Sequence, residues 1–345
     1  MVGPLNRSRT IATVVVLICA LGVVVFCHYE MWKHHEIEIE EAQSLEIQPG
    51  DHFADIASKL QSQGIIQNIG YFELLARVSN STGSIQAGEY SFSGSYTPVT
   101  VLQNLVQGNV VTRTLTLPEG GSFDEFLHVL ESTPKIDFNL TNRNVETALA
   151  ELKITGTWDQ IPSNHGEGWF FPDTYQYTTS TPASEVLSIA HSKMIDELRE
   201  AWTQRDPTTP LNTPYELLIL ASIIEKESGV IEDQRQISGV FSRRLTKGMR
   251  LQADPTVIYG LGDSFDGNLT RAHLNMEHPY NTYRNYGLPP TPIAAPSRAA
   301  LHAAANPALG DALYFVSRGD GTSEFSATLE EHNRAVRKYQ LNQKD

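Results

Sequence analysis

Residues 217–234, LLILASIIEKESGVIEDQ, place two glutamates directly after a strongly apolar run. In the first eight residues of this stretch only Ser222 is polar, which predicts a helix buried on nearly all sides. Thr213 precedes the run as an N-cap, Pro214 occupies the first helical position, and a glutamate follows three residues after the cap. The rest of the chain must therefore supply the protein that surrounds this helix.

The two glutamates at the end of the helix differ in their expected surroundings. Glu227 shares a helical stripe with Leu220 and Ile224, whereas Glu225 faces smaller and more polar side chains. A carboxyl beside large apolar groups loses hydration, so its pKa rises and it keeps a proton near neutral pH. A general acid for glycosidic cleavage needs this property. The alternative is that both glutamates lie on a solvated last turn, as acidic residues usually do.

The overall composition excludes several classes of function. The 345-residue chain has 40 acidic and 26 basic side chains, a net charge of −14, and no basic stretch interleaved with aromatics, so we expect no nucleic-acid partner. Cys19 and Cys27 both lie in one N-terminal run, which leaves no disulfide framework or paired-cysteine metal site. His273, Glu277 and His278 cluster in the sequence, but their spacing matches no standard ligand pattern. We therefore expect no metal and no cofactor.

An uncharged apolar run of 17 residues, Ile11 to Cys27, predicts a transmembrane helix over residues 11–28. A cleavable signal peptide is the alternative, but no small-x-small cleavage site follows the run. Arg7 and Arg9 precede it and Glu30 follows it, which predicts a cytoplasmic N-terminus. The remainder of a single-pass protein would then lie on the periplasmic or extracytoplasmic side of the inner (plasma) membrane.

The segment 29–44, YEMWKHHEIEIEEAQS, is charged and shows no clear period, which predicts a tether between the membrane and the folded part. Fully extended, its 16 residues would span about 55 Å at roughly 3.3–3.6 Å each. We therefore expect the folded part to work close to the membrane.

The rest of the chain predicts an α+β fold, in which helices and short strands are mixed. Residues 45–60 read as a strand, a Pro-Gly turn and a helix capped by Asp51. A strand follows at 88–92, and a helix begins at Pro98. Near the C-terminus, residues 313–326 predict a hairpin, followed by a helix with a capping box.

Two segments downstream of the glutamates carry polar and aromatic side chains. GMRLQADPTVIYGLGD (248–263) predicts a strand and turn, and PYNTYRNYGLPPTPIAAPS (279–297) is rich in tyrosine, amide and proline. Such loops suit carbohydrate, which presents hydroxyls on its edge and C–H groups on its face; the alternative is an ordinary proline-rich surface loop. The candidate supporting or substrate-binding residues are Glu225, Ser228, Gln252, Asp254, Tyr259, Asn281 and Tyr283.

Taken together, several uncommon strings resemble the signatures of the YceG-like family of endolytic murein transglycosylases. They occur in the family's order over roughly residues 45–340: EGWFFPDTY, ASIIEKESGV, GMRLQADPTVIYG, YNTY, GLPPTPI and EHN. The resemblance implies a membrane helix, a LysM-like subdomain over 45–118 and a catalytic domain over 119–345, with residues 1–10 as a cytoplasmic tail. It also implies that Glu227, the second glutamate of the E-K-E-S string, is the catalytic residue and that Ser228 completes a Glu-Ser pair.

The family's reaction cuts the MurNAc–GlcNAc β-1,4 bond within a glycan strand and leaves 1,6-anhydroMurNAc ends. The implied partners are peptidoglycan strands and membrane-bound peptidoglycan synthases, with clipping of newly made strands as the expected role. A muramidase with Asp254 as second carboxylate and a non-catalytic peptidoglycan-binding scaffold are the alternatives. Two positions depart from the family pattern: Ser323 replaces a histidine, and Ala295 replaces the asparagine of an Asn-Pro-Ser string.

Overall fold

The computed structural model describes residues 4–140 and 166–341, which divide into two compact units. Residues 1–3 of the predicted tail, and 141–165 and 342–345 of the predicted catalytic domain, lie outside the described residues. The described part mixes helices with four two-stranded sheets, as expected for the α+β class. Of the described residues, 4–113 and 178–180 belong to the first unit, and 114–140, 166–177 and 181–341 belong to the second.

The first unit begins with the long helix α1 and contains one antiparallel pair of strands. Strand β1 pairs with β2 from Ile37 opposite Tyr96 to Ile47 opposite Gly88, with an irregularity between Ile39 and Gln43. The elements in order are α1 (Pro4–Lys33), β1 (Ile37–Ile47), α2 (Phe53–Ser62), α3 (Ile69–Val78), β2 (Gly88–Tyr96) and α4 (Pro98–Gln107). The buried residues include Leu45, Ile56, Leu60, Phe72, Tyr90, Phe92, Val101 and Leu105.

Helix α1 is long and apolar enough to cross a membrane between Ile11 and Lys33. Residues 11–28 of α1 are exposed, whereas Tyr29 and Trp32 near its C-terminal end are buried in the core of the first unit. The ring of Tyr71 on α3 contacts both of these aromatic residues. The end of α1 is therefore packed into the folded unit.

The expectation of a tether over 29–44 is wrong. Helix α1 continues to Lys33, and β1 begins at Ile37. In IEIE (37–40) two isoleucines alternate with glutamates, so one face of the strand reaches the core while the acidic face is solvated. A second, smaller difference is at α2, where His52 is the N-cap and the Asp51 carboxylate instead accepts from the Gln48 amide and the Lys59 ammonium.

The second unit is built around α7. Its elements in order are β3 (Arg113–Thr116), α5 (Phe123–Ser132), β4 (Ile136–Asp137), β5 (Thr174–Tyr177), β6 (Thr181–Pro182), α6 (Ala183–Thr203), α7 (Pro214–Glu227), α8 (Ile231–Thr246), α9 (Asp254–Leu261), a 3₁₀ turn (Gly262–Ser264), α10 (Arg271–Asn275), α11 (Arg298–Ala305), β7 (Tyr314–Ser317), β8 (Ser323–Ser326), α12 (Leu329–Val336) and a π-helical turn (Arg337–Leu341). Strand β3 pairs with β5, β4 runs parallel to β6, and β7 and β8 form the expected antiparallel hairpin.

Helix α7 confirms the prediction of a buried helix, because every residue from Leu217 to Ile224 is buried. It contacts α6, α8, α9 and α11. Thr213 caps it as predicted by accepting from the Glu216 amide, while the Glu216 carboxylate accepts from the Asn212 amide. The strand expected within 248–263 is wrong, since Asp254–Leu261 forms α9, with Pro255 in its first turn where a missing N–H costs nothing.

Candidate active site

Glu227 is the last residue of α7 and lies where the buried helix reaches the edge of the core. Ser228 has an extended backbone and ends the helix. Its hydroxyl accepts from the Val230 amide at 3.0 Å, and its carbonyl accepts from the Gln234 side chain at 2.9 Å. Ser228 therefore turns the chain into α8, which leaves the Glu227 side chain partly exposed at the end of an apolar helix.

A cavity of about 550 Å³ opens beside Glu227. Four of its lining residues were expected at the site from the sequence: Glu227, Gln252, Asp254 and Tyr283. The other lining residues come from α8, the C-terminal hairpin, α12 and the π-helical turn after it: Arg244, Tyr314, Phe315, Val316, Ser317, Ser323, Leu329, His332, Asn333, Val336 and Gln340. The cavity thus combines the end of α7 with segments far away in the sequence.

The Glu227 carboxyl is held in its protonated form near neutral pH. Loss of hydration raises the pKa of Glu227 to about 8, and the negative charge of Asp254 acts in the same direction. The positive charge of Arg244 opposes this rise. Glu227 is therefore an acid poised to donate its proton at neutral pH, with a cation close enough to stabilise its conjugate base.

Arg244 is a buried cation fixed by backbone carbonyls. Its Nε donates to the Leu313 carbonyl at 2.7 Å, and its Nη1 donates to the Leu251 carbonyl at 2.5 Å. These bonds hold the guanidinium in place without neutralising it, so its charge remains available to Glu227. Arg244 was not predicted from the sequence, because nothing in the pattern of α8 distinguishes it from the neighbouring Arg243.

Asp254 and Tyr283 form a pair on the cavity wall. The Tyr283 hydroxyl donates to Asp254 Oδ1 at 2.5 Å. Burial, followed by the bond to Asp254, raises the pKa of Tyr283, so this hydroxyl remains a donor. Gln252 lies beside them with φ of +53°, a conformation that non-glycine residues rarely adopt, and its amide donates to the Thr282 carbonyl.

Asn281 shapes the segment 279–297, which we call the tyrosine loop, from inside the protein. Its side chain is 0% exposed, and its Nδ2 donates to the carbonyls of His273, Leu274 and Met276. Its Oδ1 accepts from the Tyr283 amide at 3.0 Å. The amide therefore anchors the backbone that presents Tyr283 to the cavity.

Glu225 points to a different neighbour from Glu227. Its Oε2 accepts from the Ser297 amide at 3.0 Å and from the Ser297 hydroxyl at 2.5 Å. Ser297 is buried and caps α11, which packs on α7. Among the described residues that line the cavity, Glu225 does not appear, so its contacts support the joint between two helices.

Tyr259 lies away from the Glu227 cavity and contacts a second buried acid. Its hydroxyl donates to Glu167 Oε2 at 3.3 Å, while Glu167 Oε1 accepts from the Phe123 amide at 3.0 Å. Burial raises the pKa of Glu167 to about 7. Glu167 was not predicted as a site residue, although it is the first residue of the string EGWFFPDTY.

The two positions that depart from the expected pattern lie in different surroundings. Ser323 lines the cavity on β8. Ala295 is buried, and its backbone exchanges hydrogen bonds with Gly120 and Gly121. His332, in the quoted string EHN, also lines the cavity and stacks on Tyr314 with ring centroids 5.3 Å apart.

Within residues 4–140 and 166–341, no group of three or more His, Cys, Asp or Glu side chains is placed to hold a metal ion. His273 instead completes a capping box at the start of α10, and His278 stacks on Tyr280. These contacts account for two of the three clustered residues without a ligand.

Comparison with known proteins identifies the family. The profile of the YceG-like family matches residues 45–338, which is most of the chain. The chain belongs to the YceG-like family. A relative from Bacillus subtilis (strain 168), named endolytic murein transglycosylase, is 31% identical over 306 residues, covering 86% of this chain and 84% of the relative.

Two further proteins resemble this YceG-like chain over a similar length. An endolytic murein transglycosylase from Streptococcus pneumoniae serotype 2 is 28% identical over 319 residues; the match covers 84% of this chain but 57% of the pneumococcal protein. A crystal structure of a YceG-like protein from Listeria monocytogenes is 29% identical, with a TM-score of 0.53, and the match covers 85% of this chain and 98% of that one.

Proposed function

We propose that Glu227 is the general acid of an endolytic lytic transglycosylase that cuts the MurNAc–GlcNAc β-1,4 bond within murein glycan strands. The observation that carries the proposal is a carboxyl with a pKa of about 8 facing a cavity large enough for sugar rings. Such an acid still holds its proton at neutral pH, as protonation of a glycosidic oxygen requires. The names of the Bacillus and pneumococcal relatives support the same activity.

The reaction needs one acid that returns to its starting state. Glu227 gives its proton to the glycosidic oxygen, and the bond from that oxygen to C1 of MurNAc breaks. The C6 hydroxyl oxygen of the same MurNAc bonds to C1, and the Glu227 carboxylate takes up the hydroxyl proton. The attacking group belongs to the substrate and is already close, so no water is consumed and Glu227 is again protonated.

The neighbours of Glu227 match the charges that develop in this reaction. The Arg244 guanidinium stabilises the carboxylate that forms when the proton leaves. The Asp254 carboxylate faces the same cavity and can stabilise positive charge that develops on the sugar ring. Tyr283 fixes the orientation of Asp254 through its hydroxyl.

A hydrolysing muramidase is the second candidate, since Asp254 and Glu227 line one cavity and a second carboxylate could place a water. Digestion of purified glycan strands by the full chain distinguishes the two, because the transglycosylase leaves 1,6-anhydroMurNAc ends. Products heavier by one water would identify the muramidase.

In either case we expect Glu227→Gln to abolish cleavage, since glutamine has no proton to give, and Glu225→Gln to leave cleavage measurable. The reverse result would assign the acid to Glu225.

We also propose that α1 spans the inner membrane with its N-terminus in the cytoplasm and that both units act on the outer side. The apolar stretch of α1 and the positions of Arg7, Arg9 and Glu30 support this orientation. The first unit, which includes β1, α2, α3 and β2, would act as the LysM-like glycan-binding subdomain. An enzyme held there would meet strands that neighbouring synthases are still extending. Protease added to intact spheroplasts should degrade both units; protection of the second unit would reverse the orientation.

A further inference from the structure

A second cavity in the same unit lies at the opposite end of α7 from Glu227. Its volume is about 500 Å³, close to that of the cavity beside Glu227. Its lining residues include Asn212, Tyr215 and Glu216 near the start of α7, Leu245 on α8, and Tyr286 and Pro290 in the tyrosine loop. We call it the distal cavity.

The two cavities share the elements that form their walls. On α8, Arg244 lines the Glu227 cavity and the next residue, Leu245, lines the distal one. In the tyrosine loop, Tyr283 lines the first cavity and Tyr286 the second. Helix α7 has 14 residues, so its two ends are roughly 20 Å apart at about 1.5 Å per residue. The two cavities therefore lie roughly 20 Å apart, and the same loop contributes to the walls of both.

Tyr286 gives the distal cavity an exposed aromatic face. Its side chain is 66% exposed, and the Arg250 guanidinium lies over the ring, 4.7 Å from its centroid. Gly287 follows with φ of +81°, and Pro289 and Pro290 restrict the backbone after it. The ring is thus presented by a stiff loop, and little conformational freedom would be lost when a ligand packs against it.

The remaining walls of the distal cavity are ordered before any ligand arrives. Tyr215 stacks on the buried Trp169 with ring centroids 5.6 Å apart and an angle of 6° between the planes. The Glu216 carboxylate accepts from the Asn212 amide at 2.6 Å, which fixes the loop before α7. Asn212 is exposed at the rim; its Nδ2 donates to Glu216 Oε2 at 3.3 Å, and the side-chain amide has further donor and acceptor capacity for hydroxyls.

We propose that the distal cavity is a second sugar-binding subsite for the glycan strand whose bond is cut at Glu227. A sugar ring has apolar C–H faces and hydroxyl edges, which match an exposed aromatic ring beside amide groups. The inference rests on the proposed function and adds to it the site that holds the strand away from the cut. It makes the enzyme favour long strands, because only a strand that extends beyond the Glu227 cavity contacts both sites.

The test compares cleavage of long and short glycan fragments by the full chain in detergent, with the peptide stems removed enzymatically. Tyr286→Ala is expected to lower kcat/KM for long strands by about two- to tenfold, the range for the loss of one aromatic contact, and to lower it less for the shortest fragment cut. Tyr286→Phe keeps the ring and should retain the preference for long strands. Leu309→Ala, at an exposed position (88%) outside both cavities, is the matched control.

Equal losses on long and short fragments would overturn the proposal, because they would show that Tyr286 acts through the loop that carries Tyr283. An effect seen only on strands that retain their peptide stems would also overturn it, in favour of peptide recognition. The affinity of Glu227→Gln for stem-free long strands, with and without Tyr286→Ala, gives a readout that needs no cleavage. If Glu227→Gln still cleaves, the proposed function fails; if Glu227→Gln is inactive and Tyr286→Ala changes neither affinity nor length preference, only the distal subsite fails.

Discussion

Glu227→Gln is expected to stabilise the second unit at alkaline pH while it removes the proposed acid. In the folded chain, loss of hydration raises the pKa of Glu227 from 4.5 to about 8. The folded state therefore keeps a proton that the unfolded chain releases above pH 4.5, and stability falls as pH rises from there to about 8. Glutamine fills nearly the same volume and carries no charge, so it avoids this cost.

The size of the effect follows from the two pKa values. At about 1.4 kcal/mol per pKa unit, the rise from 4.5 to about 8 corresponds to about 5 kcal/mol once the carboxyl is ionised in both states. At pH 7 about 3 kcal/mol of this cost is present, and below pH 4 none is. These are upper limits, because the amide of glutamine also needs hydrogen-bond partners in the cavity.

The assay is urea unfolding of the full chain in detergent at pH 5 and pH 9, followed by hydrogen exchange of peptides from α7. The difference between wild type and Glu227→Gln should be small at pH 5 and favour the variant at pH 9. Glu225→Gln is the matched control, and we expect it to lower the free energy of unfolding. The Glu225 carboxylate accepts two hydrogen bonds from Ser297, and weakening them costs about 1.5–3 kcal/mol. A Glu227→Gln variant that is no more stable at pH 9 would show that this carboxyl is not desolvated.

Three further predictions follow from individual contacts. The kcat/KM of the wild type should fall as pH rises through about 8. Asp254→Asn should move this fall to lower pH, because the negative charge of Asp254 raises the pKa of Glu227. A pH profile that does not move would contradict this coupling. Asn281→Ala should lower the free energy of unfolding in urea by about 1–3 kcal/mol and raise KM, because it leaves buried carbonyls unpaired beneath Tyr283. An unchanged KM would argue against the anchoring role of Asn281. Trp32→Ala should lower the stability of the first unit by about 3–5 kcal/mol, seen as faster hydrogen exchange in β1, and unchanged exchange would show that α1 is not part of the core.

The parts of the site that lie close together in sequence were accessible to prediction. The apolar run of α7, its cap at Thr213 and the placement of Glu227 at its end all follow from local pattern, since burial and capping depend on neighbouring residues. Asp254 and Tyr283 were expected to reach a polar ligand from their residue types, and the structure places both on the cavity wall. Their hydrogen bond, however, joins residues from two segments and has no local signature.

The contributions of Arg244, His332 and Glu167 depend on tertiary packing. Arg244 reaches carbonyls at Leu251 and Leu313, and the second of these is far along the chain. Glu167 is buried, and the Phe123 amide and the Tyr259 hydroxyl that donate to it are both far from it in sequence. The spacing of apolar residues predicts which face of a helix is buried. It does not predict which charged side chain a distant loop will cover.

Because α1 runs almost directly into β1, the proposed selection of strands by a membrane anchor needs a different test. Only residues 34–36 separate α1 from β1, a distance of about 10 Å at roughly 3.3–3.6 Å per residue, in place of the 55 Å of a free tether. A soluble form beginning at residue 36 would lose Tyr29 and Trp32 from the core of the first unit, so a change in glycan length could reflect instability alone.

A form beginning at residue 29 keeps both side chains. We expect it to exchange amide hydrogen in β1 as slowly as the full chain does, and the form beginning at 36 to exchange faster. If the two soluble forms are equally protected, the aromatic contacts of α1 do not stabilise the unit. If the form beginning at 29 is stable and restores the wild-type glycan lengths at matched abundance, anchoring does not select the strands that are cut.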